Sequence, residues 1–391
     1  MSEPRQQRSY AAQVMREVFT KWAARIGLAW IGLLVFVAVF APLLASSHPL
    51  LVSEQGRLAS PLIRHLGAAD VILLIIFFSA MVLGFITRIR LRIRFGILLL
   101  IALAATLLCN ALVSPPKLTV YEEYRDRQRA GAYDWVISAP IPYSPKDYLR
   151  DAGDTGLEAP LSADERQHWF GTDENGADVL SRMIHASRIA LGIGFVATGI
   201  AMIIGTLIGG LMGYFSGIYD MLGMRLVEIF EAIPVLFLLL TFVAFFGRNL
   251  YVMMIIIGIT SWTGFARYVR AEFLKLRQQE FVQSAIACGL PLYSILFRHI
   301  LPNGMAPVLV AASFGVASAI LAEATLSFLG LGLVDDPSWG EMLNQAVQAA
   351  TFNWWMAAFP GGAIFLTVFA YNLIGESMRD AIDPHLKKSA R

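Results

Sequence analysis

Three acidic residues in apolar surroundings are the first candidates for chemistry. Glu228 and Glu231 precede Pro234 in one hydrophobic stretch, and Glu323 lies in another. Carboxylates at membrane depth are rare and often relay protons or bind substrate. Alternatively, acidic groups in the first turn of a helix stabilise its dipole. We favour the dipole role for Glu228 and Glu231, at the cytoplasmic start of a helix. Glu323, nearer the outward end of its helix and an expected water-filled vestibule, is also a candidate for lining a pore or its outer gate.

A second acidic cluster lies in the stretch WFGTDENGADVLSR, from Trp169 to Arg182. Its carboxylates suggest a calcium site, but the EF-hand spacing fails because Ala177 stands where a ligand should be. Thr172 or Asp173 is instead a candidate N-cap for a helix that leads into the membrane. Asp173 is also a candidate for the outer gate of a pore.

Four glycines recur at a spacing of four residues: Gly205, Gly209, Gly213 and Gly217. This spacing places all four on one helix face and lets a neighbouring helix approach closely. We expect them to pack helices together. The functional alternative, a helix that lines or flexes a translocation path, stays open.

The sequence lacks the motifs of common catalytic centres. It contains no G-x-x-x-x-G-K-[ST], no H-E-x-x-H, no G-x-S-x-G and no Cys-x-x-Cys. Cys109 and Cys288 are too few for a disulfide framework or a zinc site, and we expect both to be small buried residues. We predict no catalytic residue, no metal and no cofactor in this chain.

Charge is scarce throughout the chain. Of its 391 residues, 57% are hydrophobic and 15% charged, and the mean hydropathy is +0.60. A soluble domain carries about 25% charged residues, so the composition excludes an ordinary soluble enzyme and indicates a polytopic membrane protein. A net charge of +2 offers no basic excess for phosphates, so we expect no nucleic-acid partner.

Stretches with few charges predict an all-α membrane bundle of about eight transmembrane helices. The predicted spans are residues 26–46, 71–87, 95–113, 189–214, 225–247, 250–266, 304–322 and 355–374. We assign 1–25 as an N-terminal tail, 68–113 as a helix pair and 114–186 as a polar segment whose prolines argue against a long helix. A second membrane block covers 187–376, contains a loop over 267–303 and is followed by a tail over 377–391.

The distribution of arginine and lysine predicts the orientation. Basic residues cluster in the N-terminal tail, in the turn 88–94, in the loop 267–303 and in the C-terminal tail, whereas the loop 326–354 has acidic residues and none that is basic. The positive-inside rule therefore places both termini in the cytoplasm. The segment 114–186 falls on the outer face, because long segments translocate largely regardless of charge.

The loop 267–303 has the pattern of a short helix between two membrane spans. Gln283, Ser284 and Ala285 belong to a run of small residues, Gly289 can end a helix, and Pro291 can begin the next one. The chain then returns to the membrane through residues 300–302. Such a helix on the cytoplasmic face can dock in the groove of a partner protein.

These residues resemble a known family. The stretch FVQSAIACGLPLYSILFRHILPN is similar to the EAA loop of ABC importer permeases, which reads Glu-Ala-Ala, then Gly, then Ile-x-Leu-Pro. Three further stretches resemble the C-type permease subunit of oligopeptide and dipeptide importers: HWFGTDENGADVLSRMIHASRIAL, AEATLSFLGLGLVDDPSWGEML and NLIGESMRDAIDPH. The segment WVISAPIPYSP is similar to the branch that handles large peptides such as microcin C. In the loop, the matching positions are Gln283, Ser284, Ala285, Gly289, Ile300, Leu301 and Pro302.

The resemblance implies the transmembrane fold of a type I ABC importer in the bacterial inner membrane. It implies half of a heterodimeric pore, with a B-type permease as the second half. Two cytoplasmic ABC ATPases and a periplasmic or lipid-anchored peptide-binding protein are the further partners, and a peptide is the substrate. ATP-driven closure of the ATPases would move the loop helix and switch the pore between inward and outward access.

Two departures from the family pattern stand out. Gln283 replaces the acidic residue and Ser284 replaces an alanine, which puts in doubt any salt bridge from that position to an ATPase. The helix pair 68–113 is an addition of unknown role.

Other functions stay open at this stage. Within the family, nickel and glutathione are the alternative substrates. A secondary transporter that uses Glu228, Glu231 or Glu323 as proton sites is a different class, but we find no inverted repeat or pair of broken helices that would support it. A receptor or scaffold that binds peptides without flux is the third class. The sequence does not identify the cargo.

Overall fold

The computed structural model describes residues 16–86, 89–116, 119–149, 153, 155–162, 167–333 and 336–382. Positions 1–15 of the predicted N-terminal tail and 383–391 of the C-terminal tail lie outside the described residues, as do parts of the basic turn 88–94 and the acidic loop 326–354. The described chain is mostly helical, which confirms the all-α class. It forms two compact units. The first comprises Met1–Leu33, Ile189–Asp336 and Gly361–Arg391, and the second Leu34–Arg188 and Pro337–Pro360.

Helices and three short strands alternate along the described chain. They are α1 (Trp22–Val39), α2 (Ala41–Leu44), β1 (Leu51–Glu54), β2 (Arg57–Ala59), α3 (Pro61–His65), α4 (Ala68–Phe85), α5 (Leu91–Leu112), α6 (Glu122–Arg129), β3 (Trp135–Ile137), α7 (Val179–Phe215), α8 (Gly217–Ala232), α9 (Val235–Phe246), α10 (Leu250–Thr260), α11 (Trp262–Arg277), α12 (Glu280–Ala287), α13 (Leu292–Leu331), α14 (Trp339–Gln348) and α15 (Trp354–Ile382). Helix α13 includes π-helical turns at Ile295–Ile300 and Ser327–Leu331.

The described residues contain six to eight candidate membrane spans, a range that includes the predicted eight. Six helices in the described residues are long and apolar enough to cross a membrane: α1, α4, α5, α7, α13 and α15. The pairs α8 with α9 and α10 with α11 pass the same test together, which gives eight if each pair is one span. Helix α7 begins ten residues before the predicted span 189–214. The prediction missed this start because a search for charge-free stretches stops at Arg182 and Arg188.

Both helix pairs are bent, which corrects two predicted spans. Helices α8 and α9 meet at 81°, and α10 and α11 at 41°. Pro234 lies at the first break. It has no N–H for the helix and holds the preceding Ile233 in an extended conformation. The continuous helices expected over 225–247 and 250–266 were therefore wrong, and so was the statement that the chain has no broken helix pair.

The same break changes the reading of two acidic residues. Glu228 and Glu231 lie in the last turns of α8, at the negative end of the helix dipole, so the predicted first-turn role is wrong. Arg225 Nη1 donates to Glu228 at 2.6 Å, and Arg267 Nη2 donates to Glu231 at 2.5 Å. Their charges are therefore balanced by arginines.

A small sheet in the second unit was not predicted. Strand β1 pairs antiparallel with both β2 and β3, so that Val52 lies opposite Ala59 on one side and Val136 on the other. Gln55 and Gly56 both have positive φ, at 51° and 73°, as a two-residue hairpin turn requires. The helix in the described residues 119–149 is the eight-residue α6, which agrees with the predicted lack of a long helix there.

Candidate functional site

Helix α12 is held in the first unit by two buried side chains. Val282 and Ala285 are spaced by three residues and so project from one helix face. Both are buried in the same hydrophobic cluster as Val269 and Phe273 of α11 and Ile295 of α13. The helix therefore rests on α11 and α13 along one face and leaves the other face open.

Exposed apolar side chains lie at the two edges of the buried face of α12, whereas its opposite side carries small and polar residues. Phe281 and Ile286 of α12 are 41% and 42% exposed, and Tyr293 and Phe297 continue the exposed apolar surface onto α13. We call this set, together with the exposed Ser284, the α12 surface: Phe281, Ser284, Ile286, Tyr293 and Phe297. The rings of Tyr293 and Phe297 lie against each other, with centroids 4.9 Å apart, and exposed apolar side chains in such a set suit contact with another molecule.

The predicted helix stop is confirmed at Gly289. Helix α12 ends at Ala287, and Gly289 has a φ of +69°, a left-handed conformation that glycine adopts without strain. Its N–H bonds the Ile286 carbonyl at 2.9 Å, and the Leu290 N–H bonds the Ala285 carbonyl at 3.2 Å. These bonds satisfy helix-end carbonyls, so the glycine fixes the angle at which the chain leaves α12.

The other predicted loop residues are distributed between core and surface. Pro291 is the N-cap of α13 and not its first helical residue. In α13, Ile300 is fully buried, Leu301 is partly buried and Pro302 is exposed. Of the predicted coupling residues, Gln283, Ser284 and Gly289 are exposed, whereas Ala285 and Ile300 hold α12 and α13 in the core.

Three of the four spaced glycines pack α7 directly against α11. A Cβ added at Gly205 would lie 2.4 Å from Phe265 Cβ, and one at Gly209 would lie 2.4 Å from the Ala266 carbonyl oxygen. At Gly213 it would lie 2.6 Å from the Arg270 carbonyl oxygen. The predicted close approach of helices is therefore present at these three positions.

Gly217 does not belong to this contact. It lies beyond the end of α7, begins α8 with a φ of +58°, and has open space around its Cα. The prediction that it shares the face of the other three is wrong, because the helix on which the spacing depends ends at Phe215.

Polar contacts that were not predicted connect α7, α8, α11 and α12. Arg270 of α11 forms a bidentate ion pair with Asp220 of α8, with Nη2 to Oδ2 at 2.7 Å. Arg277, the last residue of α11, donates to the Tyr214 carbonyl of α7 at 2.6 Å. Gln283 of α12 donates to the Arg277 carbonyl at 2.8 Å. A basic residue at the end of an amphipathic helix is the signal that could have indicated the Arg277 contact.

Glu323 is buried in the first unit. Its side chain is 2% exposed, and the Ser327 hydroxyl donates to its Oε1 at 2.6 Å. It therefore does not face the expected water-filled vestibule, and its role at a gate stays a prediction.

Asp173 lies in the second unit, in a buried turn ahead of α7. It forms an ion pair with Arg182, and its Oδ1 accepts the N–H groups of Asn175 and Ala177, each at 2.9 Å. The N-cap of α7 is Asp178, whose Oδ1 accepts the Ser181 N–H at 2.7 Å. The prediction of Thr172 or Asp173 as the N-cap is therefore wrong.

Cys109 is buried, as predicted, but Cys288 is exposed, because it caps the open end of α12. Among the described residues, no group of three or more His, Cys, Asp or Glu side chains is placed to hold a metal ion.

Comparison with known families and proteins agrees with these features. Residues 205–388 match the family described as "Binding-protein-dependent transport system inner membrane component". Residues 9–61 match the "N-terminal TM domain of oligopeptide transport permease C". The first match includes α11, α12 and α13, and so contains the α12 surface.

Several curated proteins are similar over most of their length. The oligopeptide transport system permease protein of Haemophilus influenzae is 42% identical over 56% of this chain and 71% of its own. The dipeptide transport system permease protein of Alkalihalophilus pseudofirmus is 40% identical over 64% of this chain and 82% of its own. The glutathione transport system permease protein of Pectobacterium atrosepticum is 39% identical over 63% of this chain and 80% of its own.

A solved structure, the inward-facing MetNI methionine ABC transporter, covers 51% of this chain and 96% of the matched chain at 18% identity, with a TM-score of 0.43. A score of that size supports no inference. By contrast, relatives that are about 40% identical to this chain, and that it covers over more than two thirds of their length, show the family. The chain belongs to the binding-protein-dependent transport permeases of the oligopeptide and dipeptide type, and is an inner-membrane permease subunit of an ABC importer.

Proposed function

We propose that this permease imports peptides and that the α12 surface is where a cytoplasmic ATPase transmits its motion. The observation that carries the coupling role is a short helix whose one face is anchored in the core, with exposed apolar side chains, Phe281 and Ile286, at the two edges of that face. The peptide substrate is supported by the relatives, which are named for oligopeptide and dipeptide transport.

An amphipathic helix of this size fits a groove in a partner. Short helices of this kind bind in grooves of partner proteins, and here Phe281 and Ile286 would contact the groove from the two edges of α12, with Tyr293 at the start of α13 beside it. Because Val282 and Ala285 pack against α11 and α13, a force on the exposed side of α12 is transmitted to the membrane helices that it contacts. Transmission of this kind needs a continuous mechanical contact and no catalytic side chain, so hydrolysis of ATP belongs to the partner.

The proposed complex contains a B-type permease as the second half of the pore, two ATPases and a peptide-binding protein on the outer face. The α12 surface and both termini then lie in the cytoplasm. The residues around the proposed docking helix support this orientation, since Lys275, Arg277 and Arg298 flank it and basic residues accumulate on the cytoplasmic side.

Glutathione is the second candidate substrate, because one relative of 39% identity is named for its transport. To separate the two candidate substrates, the uptake of glutathione is compared with the uptake of a labelled tripeptide by the same reconstituted importer. Proton coupling through Glu228 and Glu231 is disfavoured, since each carboxylate already has an arginine partner.

The coupling role is tested at Gly289. We expect Gly289→Val to lose most of the co-purifying ATPase, because a β-branched residue is strongly disfavoured at a φ of +69°. The valine would therefore alter the end of α12 through backbone strain, although the space around Gly289 is open. The measurement is the amount of co-expressed ATPase retained on the affinity-purified permease in detergent.

Gly289→Asn is the matched control, because asparagine tolerates the left-handed conformation. It should retain the ATPase at nearly the wild-type ratio. Equal retention by the valine and asparagine variants, with the permease itself folded, would count against docking at α12.

A further inference from the structure

Gln283 connects α12 to the end of α11. Its Nε2 donates to the Arg277 carbonyl at 2.8 Å, and Arg277 is the last residue of α11. Carbonyls in the last turn of a helix have no partner within that helix. Because a carbonyl only accepts, the NH₂ group of the glutamine must face it. The bond therefore caps the C-terminus of α11 from the neighbouring helix.

The Arg277 side chain extends the connection to α7. Its Nη1 donates to the Tyr214 carbonyl at 2.6 Å and to the Ser216 hydroxyl at 2.9 Å. Tyr214 lies in the last turn of α7, and Ser216 follows directly after that helix. A cation is favourable at the negative end of a helix dipole. Gln283 and Arg277 thus join the C-terminal ends of α11 and α7 to α12.

The close contact between α7 and α11 lies at Gly205, Gly209 and Gly213, before the residues that Arg277 binds. Backbone atoms of α11 lie within contact distance of Gly209 and Gly213 of α7, so the two helices are in direct van der Waals contact. Tyr214 and Ser216 follow the last of these glycines, so the Arg277 bonds are what join the end of α7 to the end of α11.

We infer that Gln283 is a positioning residue that transmits the motion of α12 to α7 through Arg277, and is not a docking group for the ATPase. The inference rests on the proposed function, because a partner has to move α12. The family pattern has an acid at this position. A carboxylate cannot donate to the Arg277 carbonyl, and it would add negative charge at the negative end of α11.

The test measures how far a nucleotide-driven change travels in the assembled importer. Hydrogen exchange is followed by mass spectrometry with and without ATP plus orthovanadate, in peptides that cover 278–289 and 208–216. The variants are Gln283→Glu and Gln283→Ala. Gln278→Glu is the control. Gln278 is exposed and caps the same end of α11, so this substitution introduces the same charge there.

In the wild type and in Gln278→Glu we expect the nucleotide to change exchange in both segments. In both Gln283 variants the change should persist in 278–289 and fall several-fold in 208–216. An undiminished response in 208–216 would overturn the inference, and so would loss of the ATPase from Gln283→Glu, which would make Gln283 a docking residue. No response in 278–289 of the wild type would instead contradict the proposed coupling function.

Arg277→Met tests the second link independently. It removes the donors to Tyr214 and Ser216 and keeps an apolar chain of similar length, so it should also reduce the response in 208–216. Because the two links act in series, the double variant with Gln283→Ala should be no worse than the more severe single variant. Additive losses would show that the two residues act separately, and would overturn the inference.

Discussion

Gly209→Leu is expected to prevent stable folding of the permease. A side chain at Gly209 would begin 2.4 Å from the Ala266 carbonyl oxygen and 3.0 Å from its Cα. These are backbone atoms, which cannot rotate aside, so α7 and α11 would have to separate. Overpacking of a core costs about 1–3 kcal/mol and occasionally more, and we expect a value at or above the upper end because a whole helix contact is lost.

The matched control is Gly199→Leu in the same helix. A Cβ added at Gly199 would meet nothing within 4 Å, so the substitution does not press against backbone, and leucine gains about 1 kcal/mol of helix propensity over glycine. The two variants are compared by the amount of monodisperse protein in detergent and by its melting temperature. Similar melting of Gly209→Leu and the wild type would contradict the close α7–α11 contact.

Asp173→Ala is expected to destabilise the second unit by roughly 3–5 kcal/mol, because it leaves a buried arginine without its counter-ion. The side chains of Asp173 and Arg182 are 4% and 8% exposed. The substitution also removes the acceptor for the Asn175 and Ala177 N–H groups. Arg182 would keep its bond to Gln345 Oε1 at 2.8 Å, which is a neutral partner. Thermal unfolding of the purified subunit measures the loss.

Two further variants separate the charge from the turn. Asp173→Asn keeps an acceptor for the turn and loses only the charge, so its melting temperature should fall between those of the wild type and Asp173→Ala. Arg182→Met in the Asp173→Ala background removes the unpaired charge and should recover part of the loss. If Arg182→Met lowers the stability of that background further, the ion pair is not the cause of the loss.

Features that depend on local spacing could be predicted from the sequence. The number of spans follows from apolar length, and the helix around Gln283 and its stop at Gly289 follow from small residues and a glycine. The contact surface of Gly205, Gly209 and Gly213 follows from helical periodicity. Gly217 shows the limit of this reasoning, because the periodicity holds only while the helix continues.

Features that depend on distant residues could not be predicted. A stretch of apolar residues does not show that α8 and α9 meet at 81°, although Pro234 marks a place where a helix can break. The ends of α7, α11 and α12 come together only in the folded chain, so the roles of Arg277 and Gln283 could not be read from their neighbours in sequence. The hairpin at Gln55 and Gly56 has a weak signal, because glutamine is uncommon at positive φ.

The length of α13 has a consequence for access to the α12 surface. Up to the kink at Gly330, which has a φ of 77°, its residues from Leu292 onward, about 38 at 1.5 Å each, extend about 57 Å, whereas a bilayer with its headgroups is about 40–45 Å thick. Even with an average tilt of about 20°, one or both ends of this helix must project beyond the headgroups into water. Since α12 immediately precedes α13, a projecting N-terminal end would hold α12 clear of the lipid, within reach of a soluble protein that never enters the membrane.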